Sequence, residues 1–507
     1  METNKILYGF FVVCLLLGAC AEDKGNYNYT LINEVTIDSI LSTYSCEAGS
    51  RLYIKPDIKS LDETTADLSY SWSIKDTEVS TDKILDITLP PLDYGQQLAA
   101  LTITDNVTKM QYRRTFLLEI VNPFNWGYYF LTRKDDGSTE MAYIQAVPGD
   151  GPVLKDVKYA TGCGDYEFGN EPSQLVGSFG SLLGSYYWTI TILTQEGNYP
   201  AIITDNATFT ANSLITEESF SDQSAGYYFK PERNITTIRK EQYFVSEGKF
   251  LKYIMDSGTG LGKLYRPANH DREYYWSNPC FAGNGLAFCY VYDELTRKFY
   301  VIEPYKTSNP ALGIYADANA FDKVVEIADN LEIKGELIYT SVANYATKLN
   351  AYSIDADGIH TYSFDKSGDG YSFLGETVLS FANLNKKPAF AVGNGIAANH
   401  WYINSGNVIY YSPIEAPQLN IWKELPSDLG LGTIEFIGFS ARGSRMVVVL
   451  YDENSPEKRK GSVIFINVED KKITHTFPHI LHHCVDYGKF NAYDGAYPFT
   501  NNMGDEK

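Results

Sequence analysis

The stretch HWYINSGNVIYYS (residues 400–412) decides the fold prediction. Two runs rich in aromatic and β-branched residues flank Ser405-Gly406-Asn407. Such runs favour strands, and Gly and Asn tolerate the backbone angles that a tight turn between two strands requires. The stretch therefore predicts an antiparallel β-hairpin.

Similar hairpin patterns recur through the later and larger part of the chain. Their predicted first strands begin at Gly127, Tyr186, Gln242, Leu286, Glu336, His400 and Met446. These starts are on average about 53 residues apart, a period typical of propeller blades, which bury their faces only against neighbouring blades. We predict an all-β chain in which residues 123–507 form a β-propeller. Seven blades are expected and six or eight stay open; a pair of Greek-key sandwiches is the alternative, but it does not explain the regular recurrence.

A separate module of short alternating strands precedes these repeats, at residues 33–122. Strands are predicted at 35–37, 51–54, 69–74, 99–104 and 115–120. Trp72 suits the core of a sandwich, and Pro123 marks the end of the module because proline cannot continue a central strand. The segments YSW (residues 70–72) and LTITD (residues 101–105) resemble a PKD-like, immunoglobulin-type domain.

The N-terminus carries a targeting signal. The apolar run at residues 6–17 follows Lys5 and is too short to cross a bilayer, but it suits a secretory signal. Leu17-Gly18-Ala19-Cys20 resembles the bacterial lipobox, which implies that residues 1–19 are a signal peptide and that Cys20 is acylated. Residues 20–32 then form a polar tether. An ordinary signal peptide with an incidental Cys, or an uncleaved anchor, is the alternative.

The start CAEDKGNYNY (residues 20–29), the PKD-like module and the repeats together resemble the PKD-like lipoproteins of Bacteroidetes. The resemblance implies a lipid-anchored outer-membrane protein that accompanies a SusC/SusD-type nutrient importer. Glu22-Asp23 resembles the surface-export signal of such bacteria, which implies that the protein faces the exterior. The family offers no catalytic residues to transfer to this chain.

The composition limits the classes of function. The formal net charge is −21, which repels phosphate backbones and excludes nucleic-acid binding. The sequence contains no nucleophile elbow, P-loop or His-Glu-x-x-His motif in a fitting context. We therefore predict a binding protein without catalytic residues. A propeller hydrolase or lyase acting on polysaccharide is the main alternative, and it requires acidic or His side chains that converge in the central funnel. A surface adhesin is the third possibility.

Tyr274, Tyr275 and Trp276 are the candidate ligand-binding residues. If they lie on a loop between blades, their rings offer a surface on which a glycan stacks or a peptide lies. The alternative is that they belong to the inner strand of a blade.

Two segments resemble metal sites, but we predict neither a bound metal nor a cofactor. His475, His479, His482, His483 and Cys484 lie close together, but Pro478 prevents a helix that would align them. The segment DKSGDG (residues 365–370), with Glu376, has the spacing of a calcium loop. Ser372 and the lack of flanking helices favour a polar loop between strands, so calcium stays the alternative. Residues 321–327 are interpreted as either a short helix or a blade strand.

Overall fold

The computed structural model describes most of the chain after residue 33. The described residues are 34–47, 49–61, 67–89, 95–121, 127–147, 153–182, 185–205, 209–219, 229–236, 241–254, 274–282, 288–304, 321–328, 331–342, 348–367, 370–381, 387–440 and 443–490. The predicted signal peptide, Cys20 and the tether lie outside them. Among the described residues, no helix has the length and apolar character needed to cross a membrane.

The chain is all-β, as predicted, and divides into two compact units after Val121. The helical elements of the described residues are single 3₁₀ turns at Glu217–Ser219, Gly395–Ala397 and Ser427–Leu429.

The described residues of the first unit form nine strands. They are β1 Val35–Asp38, β2 Thr43–Glu47, β3 Arg51–Ile54, β4 Asp57–Ser60, β5 Leu68–Ile74, β6 Thr77–Ser80, β7 Leu85–Thr88, β8 Gly95–Asp105 and β9 Gln111–Val121. A five-stranded sheet has the order β2-β9-β8-β5-β6, and β1 pairs with β4 and β3 with β7.

Trp72 lies at the centre of this unit, as its sequence position predicts. Alternate residues of β5 point inward, so Trp72 and Ile74 are buried. The Trp72 ring meets Phe116 edge-on, with ring centroids 6.4 Å apart. Its indole N–H donates to the carbonyl oxygen of Asp82 over 2.8 Å, which satisfies the polar edge of a buried ring.

The described residues of the second unit form the remaining strands. They are β10 Gly127–Arg133, β11 Thr139–Val147, β12 Val153–Ala160, β13 Gly162–Cys163, β14 Tyr166–Glu167, β15 Asn170–Leu182, β16 Ser185–Glu196, β17 Ala201–Asp205, β18 Ala211–Ile215, β19 Pro231–Thr236, β20 Glu241–Ser246, β21 Lys249–Ile254, β22 Trp276–Ala282, β23 Phe288–Asp293, β24 Lys298–Pro304, β25 Phe321–Glu326, β26 Glu336–Val342, β27 Leu349–Ile354, β28 Ile359–Ser367, β29 Gly370–Leu379, β30 Phe390–Val392, β31 His400–Ser405, β32 Val408–Pro413, β33 Asn420–Glu424, β34 Thr433–Phe439, β35 Arg445–Tyr451, β36 Gly461–Asn467, β37 Ile473–Leu481 and β38 His483–Phe490.

The described strands of this unit form seven antiparallel sheets besides the small β13-β14 ladder. We number them in chain order: sheet I is β38-β10-β11-β12, sheet II β15-β16-β17-β18, sheet III β19-β20-β21, sheet IV β22-β23-β24-β25, sheet V β26-β27-β28-β29, sheet VI β30-β31-β32-β33 and sheet VII β34-β35-β36-β37. Residues 321–326 are thus a blade strand, β25.

The sheets close into a ring. One edge strand of each sheet, here called its inner strand, contacts the inner strand of the next sheet, in the order β38, β15, β19, β22, β26, β30, β34 and back to β38. The last described strand, β38, completes the first sheet by pairing with β10. This arrangement is a β-propeller whose first sheet is completed by a strand from late in the chain.

The apolar sequence of β35 shows why the sheets stack. Met446, Val448 and Leu450 belong to a core shared with sheet VI, whereas Val447 and Val449 belong to a core shared with sheet I. Because both faces of the strand are covered, its sequence is a continuous apolar run.

All seven predicted hairpins form antiparallel strand pairs. In six sheets the pair is the second and third strand, counted from the inner strand. Sheet V differs, because the strand that begins at Glu336 is its inner strand β26.

Candidate functional site

Within the described residues, six of the seven inner strands carry a β-bulge near their first residues. Each bulge is a shift in pairing register that leaves at least one residue of the inner strand without an opposite partner. The residues at these shifts are Ser173, Glu232, Asn278, Ile338, Glu435 and Val485. A bulge turns a side chain away from the direction it would have in a regular strand. The first residues of the inner strands surround one end of the central channel of the propeller, so several side chains at this end do not follow the regular alternation.

A pocket of about 450 Å³ lies at this end of the channel. Its lining is Glu171, Pro172, Ser173, Gln195, Glu232, Arg233, Ser277, Asn278 and Val485. Apart from Gln195, these residues belong to the inner strands β15, β19, β22 and β38. Successive residues of a regular strand face opposite sides, so the bulges explain how chain neighbours such as Glu232 and Arg233 line one cavity.

Two residues on the pocket wall have left-handed backbone angles, Glu171 with φ 51° and Asn278 with φ 44°. Asn tolerates this region, but a glutamate rarely adopts it, so the backbone is strained at Glu171. The N–H of Glu171 donates to the carbonyl oxygen of Gly137 over 2.9 Å, which helps to hold this conformation. Strain of this kind is concentrated at functional sites.

Glu232 is the pocket carboxylate with the weaker protein contact. The Tyr275 hydroxyl donates to Glu232 Oε1 over 3.3 Å. Burial raises the pKa of Glu232, and the Tyr275 hydrogen bond and the Arg233 charge only partly offset that effect. The ionised carboxylate therefore lies in surroundings that solvate it poorly.

Glu171, in contrast, is held by a cation. Arg133 Nε and Nη2 donate to its two oxygens over 2.7 and 2.9 Å. These hydrogen bonds lower the pKa of Glu171, which keeps it ionised. The two pocket carboxylates therefore have opposite pKa shifts, and Glu171 is already engaged.

The predicted ligand-binding aromatic residues do not form one exposed surface. Trp276 is 2% exposed and packs in the core of sheet IV, and the Tyr274 ring stacks on it with centroids 4.3 Å apart. Tyr275 points the other way and is 39% exposed. It lies beside the pocket through its contact with Glu232. Trp276 therefore fits the alternative interpretation, in which the aromatic residues belong to the inner strand of a blade, here β22.

The backbone of Gly248 fixes the Tyr275 ring. A Cβ atom at Gly248 would lie 2.4 Å from Cδ2 of Tyr275, and the residue has φ +70°. The Tyr275 N–H donates to Asp293 Oδ1 over 3.0 Å. The ring is thus held against sheet III by glycine and by its own backbone.

A different set of contacts fastens the seam between β34 and β38. Glu435 accepts hydrogen bonds from His483 Nδ1 over 2.9 Å and from the Cys484 N–H over 3.3 Å. One strand further, Asp486 Oδ2 accepts from the Leu175 N–H on β15 over 3.0 Å. Burial raises the pKa of Asp486 to about 6.

The clustered histidines have separate partners. His483 contacts Glu435, and His482 Nε2 lies 3.7 Å from Glu140 Oε1, which is bound by Arg459. In the part of the chain that the structure describes, no group of three or more His, Cys, Asp or Glu side chains could hold a metal ion.

The segment with calcium-loop spacing belongs to the β28-β29 hairpin. Residues 368–369 of this segment lie outside the described residues. Glu376 contacts His360 Nδ1 at 2.7 Å, the Tyr362 hydroxyl at 3.2 Å and Lys334 Nζ at 3.2 Å. Its carboxylate thus belongs to a cluster of protein groups.

Comparison with known proteins identifies the N-terminal module. Residues 20–166 match the PKD-like family. The chain therefore carries a PKD-like domain at its N-terminus, followed by the propeller. No curated protein matches the sequence significantly.

Several solved structures resemble the chain at low sequence identity. A quinonprotein alcohol dehydrogenase-like protein from Bacteroides thetaiotaomicron is 13% identical, covering 87% of this chain and 94% of that one, with a TM-score of 0.44. A putative 6-phosphogluconolactonase from Bacteroides uniformis is 11% identical, covering 77% and 94%, with a TM-score of 0.36. A protein from Lactobacillus plantarum is 9% identical, covering 83% and 99%, with a TM-score of 0.37. At these values the names of these proteins imply nothing about the chemistry of this chain.

Proposed function

We propose that the protein is a surface lipoprotein without catalytic activity that binds a glycan or oligopeptide for a SusC/SusD-type importer. Cys20 would anchor it to the outer membrane, and the propeller would present its pocket to the exterior. The lipobox-like sequence and the PKD-like match support the location and the partner.

The observation that carries the binding role is the pocket at the start of the inner strands. Its volume lies within the range of about 300–1,000 Å³ that is typical of sites for small ligands. Its walls combine charged and amide side chains that converge from four inner strands. Such convergence favours recognition of a polar ligand.

The pocket also contains the feature that the enzymatic alternative requires, namely two carboxylates with opposite pKa shifts. Glycoside hydrolysis needs one carboxylic acid and one carboxylate that is free to act as base or nucleophile. Both oxygens of Glu171 already accept hydrogen bonds from Arg133. This engagement favours binding over hydrolysis.

The proposal is tested with the lipidated full chain in its native membrane. Labelled palmitate is expected to incorporate into the wild type and not into Cys20→Ser. The purified lipoprotein is expected to co-purify with an importer or to bind a nutrient in calorimetry. A protein that takes up no label, or that binds neither an importer nor a nutrient, contradicts the proposal. Release of reducing sugar from a polysaccharide panel would favour the enzymatic alternative.

A further inference from the structure

The bulge in β19 gives the pocket two adjacent groups of opposite charge. Pro231 pairs with Ser246 and Arg233 with Val245, so Glu232 is the extra residue between them. In a regular strand, Glu232 and Arg233 would face opposite sides of sheet III. Here both line the same cavity. The local backbone thus places a carboxylate and a guanidinium next to each other.

These two groups interact through their charges but form no direct ion pair. No ion pair within 4 Å joins the two side chains, both of which the structure describes. Glu232 has its 3.3 Å contact with Tyr275, and Arg233 is exposed. Two opposite charges that line one pocket without pairing offer separate partners to a ligand.

The serine hydroxyls of the pocket are already used within the protein. Ser173 Oγ donates to the Pro231 carbonyl oxygen over 2.6 Å, and Ser277 Oγ donates to Glu294 Oε1 over 2.5 Å. Asn278 Nδ2 donates to Ser277 Oγ over 3.2 Å. Glu171 is bound by Arg133. The charged groups of the pocket that remain for a ligand are therefore Glu232 and Arg233, beside the amides of Gln195 and Asn278.

We infer that this pocket binds a zwitterionic ligand, an amino acid or a short peptide with free termini, with the ligand ammonium at Glu232 and the ligand carboxylate at Arg233. The inference rests on the proposed function, because it names the ligand of the same pocket and chooses peptide over glycan.

A neutral glycan fits the charges less well. It would displace water from the Glu232 carboxylate without supplying a counter-ion, and burial already disfavours that charge. A ligand with only a cation would supply no carboxylate to the exposed Arg233 guanidinium, whose charge otherwise acts only at longer range on Glu232 and on the buried Asp486. Glycan sites also use broad aromatic platforms, whereas Tyr275 alone of the three predicted aromatic residues is exposed beside the pocket, and Trp276 is buried in the core of sheet IV. The ligand that satisfies both groups carries both charges.

The test uses the full chain and two peptide pools. One pool contains mixed tripeptides with free termini, and the other contains the same peptides acetylated and amidated. Each pool is equilibrated with the protein, and the retained peptides are quantified by mass spectrometry after filtration; maltotriose is measured in parallel by calorimetry. We expect retention of the free pool and an approximately tenfold or greater loss when both termini are blocked.

Variants assign the two ends of the ligand. Glu232→Gln is expected to weaken binding of free peptides about 10- to 100-fold and to remove discrimination against an acetylated N-terminus. Arg233→Gln is expected to do the same for an amidated C-terminus. Glu218→Gln and Arg114→Gln change the same residue types at exposed positions outside the pocket and are expected to bind like the wild type.

The outcomes separate this inference from the proposed function. Equal retention of free and blocked peptides, or loss of binding in the control variants alone, overturns the zwitterion site. Binding of maltotriose without binding of free peptides overturns it too, but leaves the proposed function standing. If the protein binds neither and still co-purifies with an importer, only the zwitterion site falls. If it also fails to co-purify, both fall.

Discussion

Glu232 and Glu435 are chemically identical side chains at equivalent places in the ring, yet their surroundings differ. Each is the extra residue of a bulge near the start of an inner strand, in β19 and β34 respectively. Glu435 accepts hydrogen bonds from His483 and from the backbone of Cys484, both on the next inner strand. Glu232 has one contact of 3.3 Å, with the Tyr275 hydroxyl.

The difference shows that the bulge sets the position of a side chain but not its role. Where the next inner strand supplies donors, as β38 does, the redirected carboxylate fastens two sheets together. Where the neighbouring segment supplies only the 3.3 Å hydrogen bond of the Tyr275 hydroxyl, as between β19 and β22, the carboxylate lines a cavity. The same kind of β-bulge therefore occurs both at the closed seam between β34 and β38 and at the open pocket.

The largest expected effect is at the seam, where Asp486 joins β38 to β15. Its oxygens accept hydrogen bonds from the backbone N–H groups of Leu175 and Tyr487. Asp486→Ala leaves two buried donors without these acceptors, which costs about 2–4 kcal/mol. Urea unfolding should show a lower midpoint, whereas Asp428→Ala, at an exposed turn, should leave it unchanged. A wild-type midpoint for Asp486→Ala would mean that the seam does not depend on this carboxylate.

The next effect tests the comparison directly, by the same substitution at both bulges. Glu435→Gln weakens the contact with His483 and should lower the free energy of unfolding by about 1–2 kcal/mol. Glu232→Gln removes a carboxylate whose charge burial disfavours, so stability should stay the same or rise. Both are read from urea unfolding. Equal losses in the two variants would contradict the distinction between seam and pocket.

The strands that the sequence predicts well are the buried second and third strands of a sheet, counted from the inner strand. β35 and β36 are continuous apolar runs because both faces are covered, and such runs are visible without a structure. The inner strands are harder to predict. β15 begins with Asn170-Glu171-Pro172-Ser173, which is typical of a turn, and its bulge interrupts any periodicity. The shifted hairpin of sheet V has a similar origin, because β28 (IHTYSFDKS) carries many polar residues.

The pocket could not be predicted from local sequence. Glu232 and Arg233 lie in a polar stretch around Pro231, which carries no site signal. The cavity forms because bulged residues of different inner strands lie side by side in the closed ring. Ser173 and Val485, for example, are far apart in the sequence but line the same cavity. Tyr274 and Trp276 stack on one side of the chain and Tyr275 points to the other, as alternate residues of an extended chain do.

A smaller effect is the pH dependence of the seam. The pKa of Asp486 is raised to about 6, above its value of 3.8 in an unfolded chain, so the folded state binds the proton more tightly. This group therefore contributes stability at low pH that is lost as the pH rises through about 6. Between pH 5 and 7.5 the loss is about 1 kcal/mol. Urea unfolding of the wild type and of Asp486→Ala at both pH values measures this contribution, because the variant lacks the Asp486 carboxyl group. An identical pH dependence of stability in the two proteins would mean that other titratable groups cause it.

The smallest effect on stability is expected for a substitution of Arg133, whose guanidinium binds the Glu171 carboxylate. The side chains of this pair are 40% and 38% exposed, and exposed ion pairs contribute little to folding. Arg133→Gln should therefore leave the unfolding midpoint unchanged, while it frees a second carboxylate in the pocket. Arg51→Gln is the matched control, because Arg51 also donates two hydrogen bonds to a carboxylate, Asp86, but in the first unit. Calorimetry with a free tripeptide should then show tighter binding for Arg133→Gln alone. Unchanged binding would mean that Glu171 acts as part of the wall, and that Glu232 alone holds the ligand ammonium.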